Sequence, residues 1–285
     1  MISLFRHRDT TGVHVAGPWP FVTFRSYRLG RRRVFWRARQ HRKGLMRRAR
    51  ALENAPTPFW QSRRYNWYVG AIFAAGSFLF MLGSALSLLP PSLGIAAGLI
   101  NVVFFLGSIP FTTAAYLQHF QAANASEFTL SPGAPEAGRS ISFIGWHPRS
   151  AGWLSTFTQF VGTIAFNVNT FDGILAPTRW YVQDVAIWLP DMVGSILFLV
   201  SAYLAFIETA GAYWRWKPRD LAWQIVFVNL VGCVAFMIAA IVTYVPSGPD
   251  PAWTGIMGNA QLFLGASCFF IGAWLTMRES ETAAP

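Results

Sequence analysis

Six stretches of this chain are almost free of charge: roughly 66–88, 94–118, 151–172, 185–209, 221–245 and 253–276. Each is long enough to cross a bilayer core of about 30 Å as an α-helix, which takes about 20 residues. Inside each, a short phrase recurs: Gly, Phe four residues on, then a small or polar residue three further. Its members are Gly76/Phe80/Gly83, Gly107/Phe111/Ala114, Gly162/Phe166/Asn169, Gly194/Phe198/Ser201, Gly232/Phe236/Ala239 and Gly265/Phe269/Gly272. The spacing puts all three positions on one helix face. Small residues let backbones approach closely in a membrane, where packing replaces the hydrophobic effect as the adhesive. A Phe between small positions is a knob with a hole on either side. An antiparallel neighbour carrying the phrase at the same depth offers the complementary order, so the phrase is read as a packing seam.

Successive seam glycines lie 31, 55, 32, 38 and 33 residues apart. The three short, nearly equal separations mark paired helices. The pattern therefore predicts an all-α polytopic membrane protein of six transmembrane helices, arranged as three tandem helical hairpins. Residues 1–64 form an N-terminal arm, 65–120 the first hairpin, 121–150 a linker rich in Ala, Ser, Gly and Pro, 151–278 the second and third hairpins, and 279–285 a short tail.

Charge adds orientation. The chain is 53% hydrophobic and 12% charged, against about 25% charged in ordinary soluble domains. Residues 1–64 hold 16 of the 23 Lys+Arg and only two acids, Asp9 and Glu53. The arm, the 119–150 and 210–220 loops and the C-terminal end from Arg278 on together hold all the bases but Arg179. The positive-inside rule then puts both termini in the cytoplasm of a bacterial inner membrane, with Trp residues belted at the span ends. The first long apolar run starts near Tyr65, so no N-terminal signal peptide is expected. The arm reads as partly disordered or amphipathic, with a helical pattern from Val34 to Asn54. Arg31, Arg32, Arg33, Arg42, Lys43, Arg47 and Arg48 suit anionic lipid headgroups, at about 1 kcal/mol per base near the surface. No nucleic-acid-binding motif accompanies them, and nucleic acid is not expected as a partner.

Polar residues inside apolar spans are the default candidates for function. Gln159, Asp191 and Asn229 each lie three residues before a seam glycine, and Asn167 and Asn169 follow Phe166. One reading makes Asp191, Asn167 and Asn169 an outward-open polar cavity, with Gln159, Asn229 and Glu208 nearer the cytoplasm. The other starts the fourth span at Pro190, so that Asp191 meets the positive end of the helix dipole, and leaves Glu208 at headgroup level. Cys233 and Cys268 sit in apolar spans as small packing residues. Five scattered histidines show no metal-ligand spacing, with His119 and His147 expected at the interface. No Walker A loop, dinucleotide fingerprint, Gly-x-Ser-x-Gly elbow or His-Glu-x-x-His is present. No cofactor or metal is expected, and the chain reads as non-enzymatic.

Tyr65-Asn66-Trp67 ahead of Gly76-Ser77-x-x-Phe80-x-x-Gly83-Ser84, followed by Phe105-x-Gly107-Ser108, resembles the YrhK-like domain, a two-helix membrane module of bacteria. The resemblance covers residues 65–123, with 144–276 looking like elaborations of the same hairpin. Pro110 departs from a plain helix. The family has no established activity, so the resemblance implies membrane insertion and no catalytic residue. The leading expectation is a non-enzymatic bundle or homo-oligomer engaging anionic lipid or a cytoplasmic partner through its arm. The alternative is a small-solute or cation transporter or channel with a polar path at Asp191 and the amides.

Overall fold

The computed structural model describes residues 12–29, 31–45, 58–125, 141–244 and 251–282. The arm corrects the all-α expectation. It forms a three-stranded antiparallel sheet of β1 (His14–Ala16), β2 (Phe24–Leu29) and β3 (Arg32–Arg37), in the order β1-β2-β3. Val15 pairs with Arg25, and Ser26 with Phe35. The signal was a period of two: Arg33, Phe35 and Arg37 are exposed, whereas Val34 and Trp36 are half-buried. Aromatic and β-branched residues alternating with arginine favour a half-buried strand, but the charge run hid the alternation. Within the stretch Val34–Asn54 expected to be helical, Val34–Arg37 belongs to β3 and Ala38–Arg42 forms α1, while residues 46–54 lie outside the described residues. Arg47 and Arg48 lie outside the described residues.

Five helices are long and apolar enough to cross a membrane. They are α2 (Arg63–Ser87), α3 (Ala97–Ala123), the span Trp180–Ala210, α7 (Leu221–Val242) and α8 (Ala252–Thr282). The sixth long helix, α4 (Ala151–Asp172), carries Ser155, Thr156, Thr158, Gln159, Thr163, Asn167, Asn169 and Thr170, and these polar residues dilute its apolar character. Ser62, Ser150 and Asp220 cap α2, α4 and α7 by accepting from the backbone N–H of Tyr65, Trp153 and Ala222.

The span Trp180–Ala210 comprises α5 (Trp180–Gln183), a π turn (Asp184–Trp188) and α6 (Leu189–Ala210) without a break, because Trp188 and Leu189 both have helical backbone angles. Pro190 therefore does not start this helix. A proline inside a helix lacks its N–H and crowds the carbonyl four residues back. The wider π turn lies just ahead of Pro190, where the hydrogen-bond pattern must change. Gly211, at φ 70°, ends the helix in the left-handed conformation.

The six long helices close into a ring. Each packs on its neighbour in sequence, and α8 returns to pack along α2. Across each of three neighbouring pairs, glycine faces phenylalanine in both directions. A Cβ on Gly76 would lie 2.9 Å from the Gly107 carbonyl oxygen, and one on Gly107 would lie 2.9 Å from the Phe80 ring. A Cβ on Gly162 would lie 2.8 Å from the Phe198 ring, and one on Gly194 3.0 Å from the Phe166 ring. Gly232 and Gly265 meet across α7 and α8, with Phe236 against Gly265. The six seam phenylalanines converge on the bundle axis. Ring centroids are 5.3 Å apart for Phe80–Phe111, 4.9 Å for Phe166–Phe198 and 5.1 Å for Phe236–Phe269. Phe236 and Phe269 join the other two pairs, at 6.2 Å to Phe80, 5.8 Å to Phe166, 6.0 Å to Phe111 and 6.0 Å to Phe198. Edge-to-face geometry dominates these contacts, as expected of interacting quadrupoles.

Gly76→Ala should lower stability by about 1–3 kcal/mol, because the added methyl overpacks against backbone. Gly255→Ala, where a Cβ meets nothing within 4 Å, should be neutral. Thermal unfolding in detergent checks the pair, and equal melting temperatures would show that the seam is not a packing face.

Candidate functional site, a polar cavity beneath the arm

The arm docks on the end of the bundle where α2, α4 and α7 begin and α3, α6 and α8 finish. Gly44, at φ 71°, lets the chain turn there, and a Cβ would strike the backbone of Gln61. The Asn66 side chain donates to the Lys43 carbonyl at 2.9 Å, and Gln61 donates to the His41 carbonyl at 3.2 Å. Gln121 donates to the Trp60 carbonyl at 2.6 Å and to Asn66 Oδ1 at 3.2 Å.

This docking drives three cations into the bundle mouth. Arg39 donates to both Glu279 oxygens, Nη1 to Oε1 at 2.5 Å and Nη2 to Oε2 at 2.9 Å. Lys43 Nζ donates to Glu279 Oε2 at 3.0 Å, and Arg42 Nη2 to Glu208 Oε2 at 2.6 Å. Arg39, Lys43, Glu208 and Glu279 are all buried. Charge-assisted and bidentate bonds of this kind are strong. Burial pushes the Lys43 ammonium down to about 8, with Arg39 adding to the effect and Glu279 opposing it. Burial also works against Arg39, but the charge and hydrogen bonds of Glu279 outweigh it and hold that guanidinium above its ordinary value.

Below this lid lies a cavity with about 100 Å³ of room for water. Its walls are Gln118 of α3, Ser155, Thr156 and Gln159 of α4, Ser201 of α6, Asn229 of α7 and Thr276 of α8. Its floor is aromatic, formed by Phe73 and the seam residues Phe111, Phe198 and Phe269. Ser155 and Ser201 exchange hydroxyl-to-carbonyl bonds at 2.9 and 2.7 Å, which pins α4 to α6. Gly272 leaves the space that the Asn229 amide occupies.

Several sequence-based expectations change here. Glu208 is buried and paired with Arg42 rather than turned outward to headgroups. Arg42 and Lys43 are not free for lipid headgroups, because both are spent in ion pairs. Glu279 belongs to α8, which runs to Thr282, rather than to a loose tail. His119 is buried among Trp153, Phe157 and Phe160, with Nδ1 3.2 Å from Thr156 Oγ1. Arg31 and Arg33 are exposed, and Arg32 lies in β3.

Gln159 and Asn229 share the cavity, whereas Asp191, Asn167 and Asn169 do not. Gln159 and Asn229 each precede their seam Phe by seven residues on helices leaving the arm. Asp191 has the same offset on α6, which runs back toward the arm, so it falls beyond the aromatic layer. Asn167 and Asn169 lie beyond Phe166 on α4. Asn167 donates to Thr112 Oγ1 at 2.9 Å, and Asn169 donates at 2.9 Å to the Ile187 carbonyl in the π turn. Asp191 is half-buried within a continuous helix, so it is not a terminal cap. Sequence reasoning missed Arg39, Glu279 and Gln118, and read Ser201 only as part of the packing seam. Its available signal was two carboxylates, Glu208 and Glu279, at the arm-side ends of apolar helices beside a surplus of arginine.

Glu279→Gln should destabilise the fold by about 3–5 kcal/mol, because it leaves buried charges uncompensated. The Lys43 shift has its own sign. A base whose pKa falls on folding is penalised fully below its folded pKa, and the penalty fades as pH rises toward the unfolded value. Wild type should therefore gain up to about 3 kcal/mol relative to Lys43→Met between pH 8 and 10.5. Denaturant unfolding of both proteins across that window checks it, and a constant difference would refute it. No protein family, no curated protein and no solved structure matches this chain.

Proposed function

We propose that the chain is a six-span, non-enzymatic membrane protein of three helical hairpins, with its termini on the cytoplasmic side, that carries a small polar solute. The observation that supports this reading is the polar cavity whose walls come from five helices and whose mouth is stoppered by the arm. A bundle that only needed to pack would have no reason to line its axis with Gln118, Gln159 and Asn229, since polar groups within a membrane are costly.

The seam phenylalanines separate this cavity from Asp191, Asn167 and Asn169. The two polar zones therefore suit a carrier whose aromatic layer parts during transit better than a standing pore. The lid brings three cations against two carboxylates, so it favours a neutral or anionic solute over a cation. The likeness of residues 65–123 to the YrhK-like domain fits the hairpin plan. Of the arm residues expected at lipid headgroups, Arg31 and Arg33 are exposed among those whose side chains are described.

Swelling of proteoliposomes in glycerol, urea, acetate and nitrate tests the reading. Wild type should swell at least tenfold faster than Asn229→Leu for one of these solutes. Swelling no faster than protein-free liposomes in all four, or equal swelling of the two proteins, would overturn it.

A further inference from the structure

The lid over the polar cavity is unequal in charge. Arg42 is matched by Glu208. Arg39 takes both oxygens of Glu279, so Lys43 shares a carboxylate that Arg39 already neutralises. The third acid acting on Arg39 is Asp220 at the start of α7, and it stands beside two bases of its own, Arg215 and Lys217. One positive charge is therefore left over, and it falls to Lys43. That side chain is 9% exposed and lines the cavity. Its Nζ makes one hydrogen bond among the described residues, to Glu279, whereas an ammonium has three donors to offer. A buried charge without its own counter-charge is costly, and an anion in the cavity removes that cost.

Resting on the reading that this cavity carries a solute, we propose that the solute is a small monocarboxylate, bound with its carboxylate against Lys43 and its apolar end on the phenylalanine floor. The remaining donors are in place. Gln118, Gln159 and Asn229 come from three helices, line the same cavity and make no hydrogen bond among the described residues. Each carboxamide has two N–H donors, and a carboxylate has about four acceptor sites, so ammonium and amides together can satisfy it. Hydrogen bonds to the charged carboxylate are stronger than those to a neutral carbonyl. Size sets the class of acid. The cavity offers about 100 Å³, against roughly 10–15 Å³ for a single water, so it holds several waters or one molecule of a few heavy atoms. Phe73 and Phe111 in the floor give a methyl or ethyl group an apolar contact that an inorganic anion cannot use. A neutral amide of the same shape leaves the Lys43 charge unmatched, and a cation adds to it.

Acetate and acetamide are alike in size and shape and differ in charge, so the pair separates a preference for carboxylate from solute binding as such. The full chain, purified in an uncharged detergent, is titrated calorimetrically at pH 7 and constant ionic strength with sodium acetate, acetamide and sodium chloride. Acetate should bind saturably and at least tenfold more tightly than either of the others. Lys43→Met should bind acetate at least tenfold more weakly. Gln159→Glu keeps the size of the side chain and puts the missing negative charge into the cavity, so it should abolish acetate binding; it preserves the test if Lys43→Met fails to fold. Acetamide binding as tightly as acetate would overturn the monocarboxylate and leave the solute site standing. Chloride binding as tightly as acetate would overturn it too, because charge alone would then be recognised. So would the absence of saturable acetate binding, or wild-type affinity in either folded variant, while swelling in glycerol and urea would still decide whether the chain carries a solute at all.

Discussion

The reciprocal fit of glycine against phenylalanine is the contact on which the bundle depends. Where Gly76 meets Gly107, and in the two equivalent pairs, the backbones come too close for any side chain between them. The rings beside those glycines are thereby directed to the bundle axis, where six of them form one cluster. Little hydrophobic gain separates an apolar helix in lipid from one against another helix, so close packing of this kind must carry the association. The arrangement is also a constraint. An axis filled with aromatic rings at mid-height leaves polar groups only the space on either side.

The polar residues divide accordingly. On the arm side, Gln118, Gln159 and Asn229 surround a cavity. On the other side, Asn167 and Asn169 are committed to Thr112 and to the π-turn carbonyl of Ile187. The second group repairs backbone and hydroxyl groups that α-helical geometry leaves over. The first retains room beside it, and for that reason it is the better place for a solute.

The arm acts as part of the bundle rather than as an appendage. Its sheet holds α1 in place, and α1 carries Arg39 and Arg42 to carboxylates on α8 and α6, while Lys43 follows onto the first of these. Buried ion pairs add little net stability, because desolvation offsets attraction, yet they are costly to break. Their effect here is to fix where the arm sits. Arg42 lines the cavity below and also a groove beside the arm sheet, so the lid is also the wall between the two spaces.

Spans and seam were legible in the chain because both are periodic. A long apolar run with glycine and phenylalanine four residues apart states a helix and its packing face locally. The β-strands of the arm were also written there, in the alternation of Arg33, Phe35 and Arg37 with Val34 and Trp36, but the density of arginine masked it. Pro190 was misleading, since a local rule predicts a helix start and the tertiary packing carries the helix through a π turn instead. What only the tertiary structure decided was which charges meet. Glu279 lies 240 residues from Arg39, and Glu208 lies 166 from Arg42. An isolated carboxylate in an apolar helix states that a partner is needed, because a buried charge must be neutralised. It does not state which of many arginines supplies it, because that choice is made by the closure of the ring and the docking of the arm.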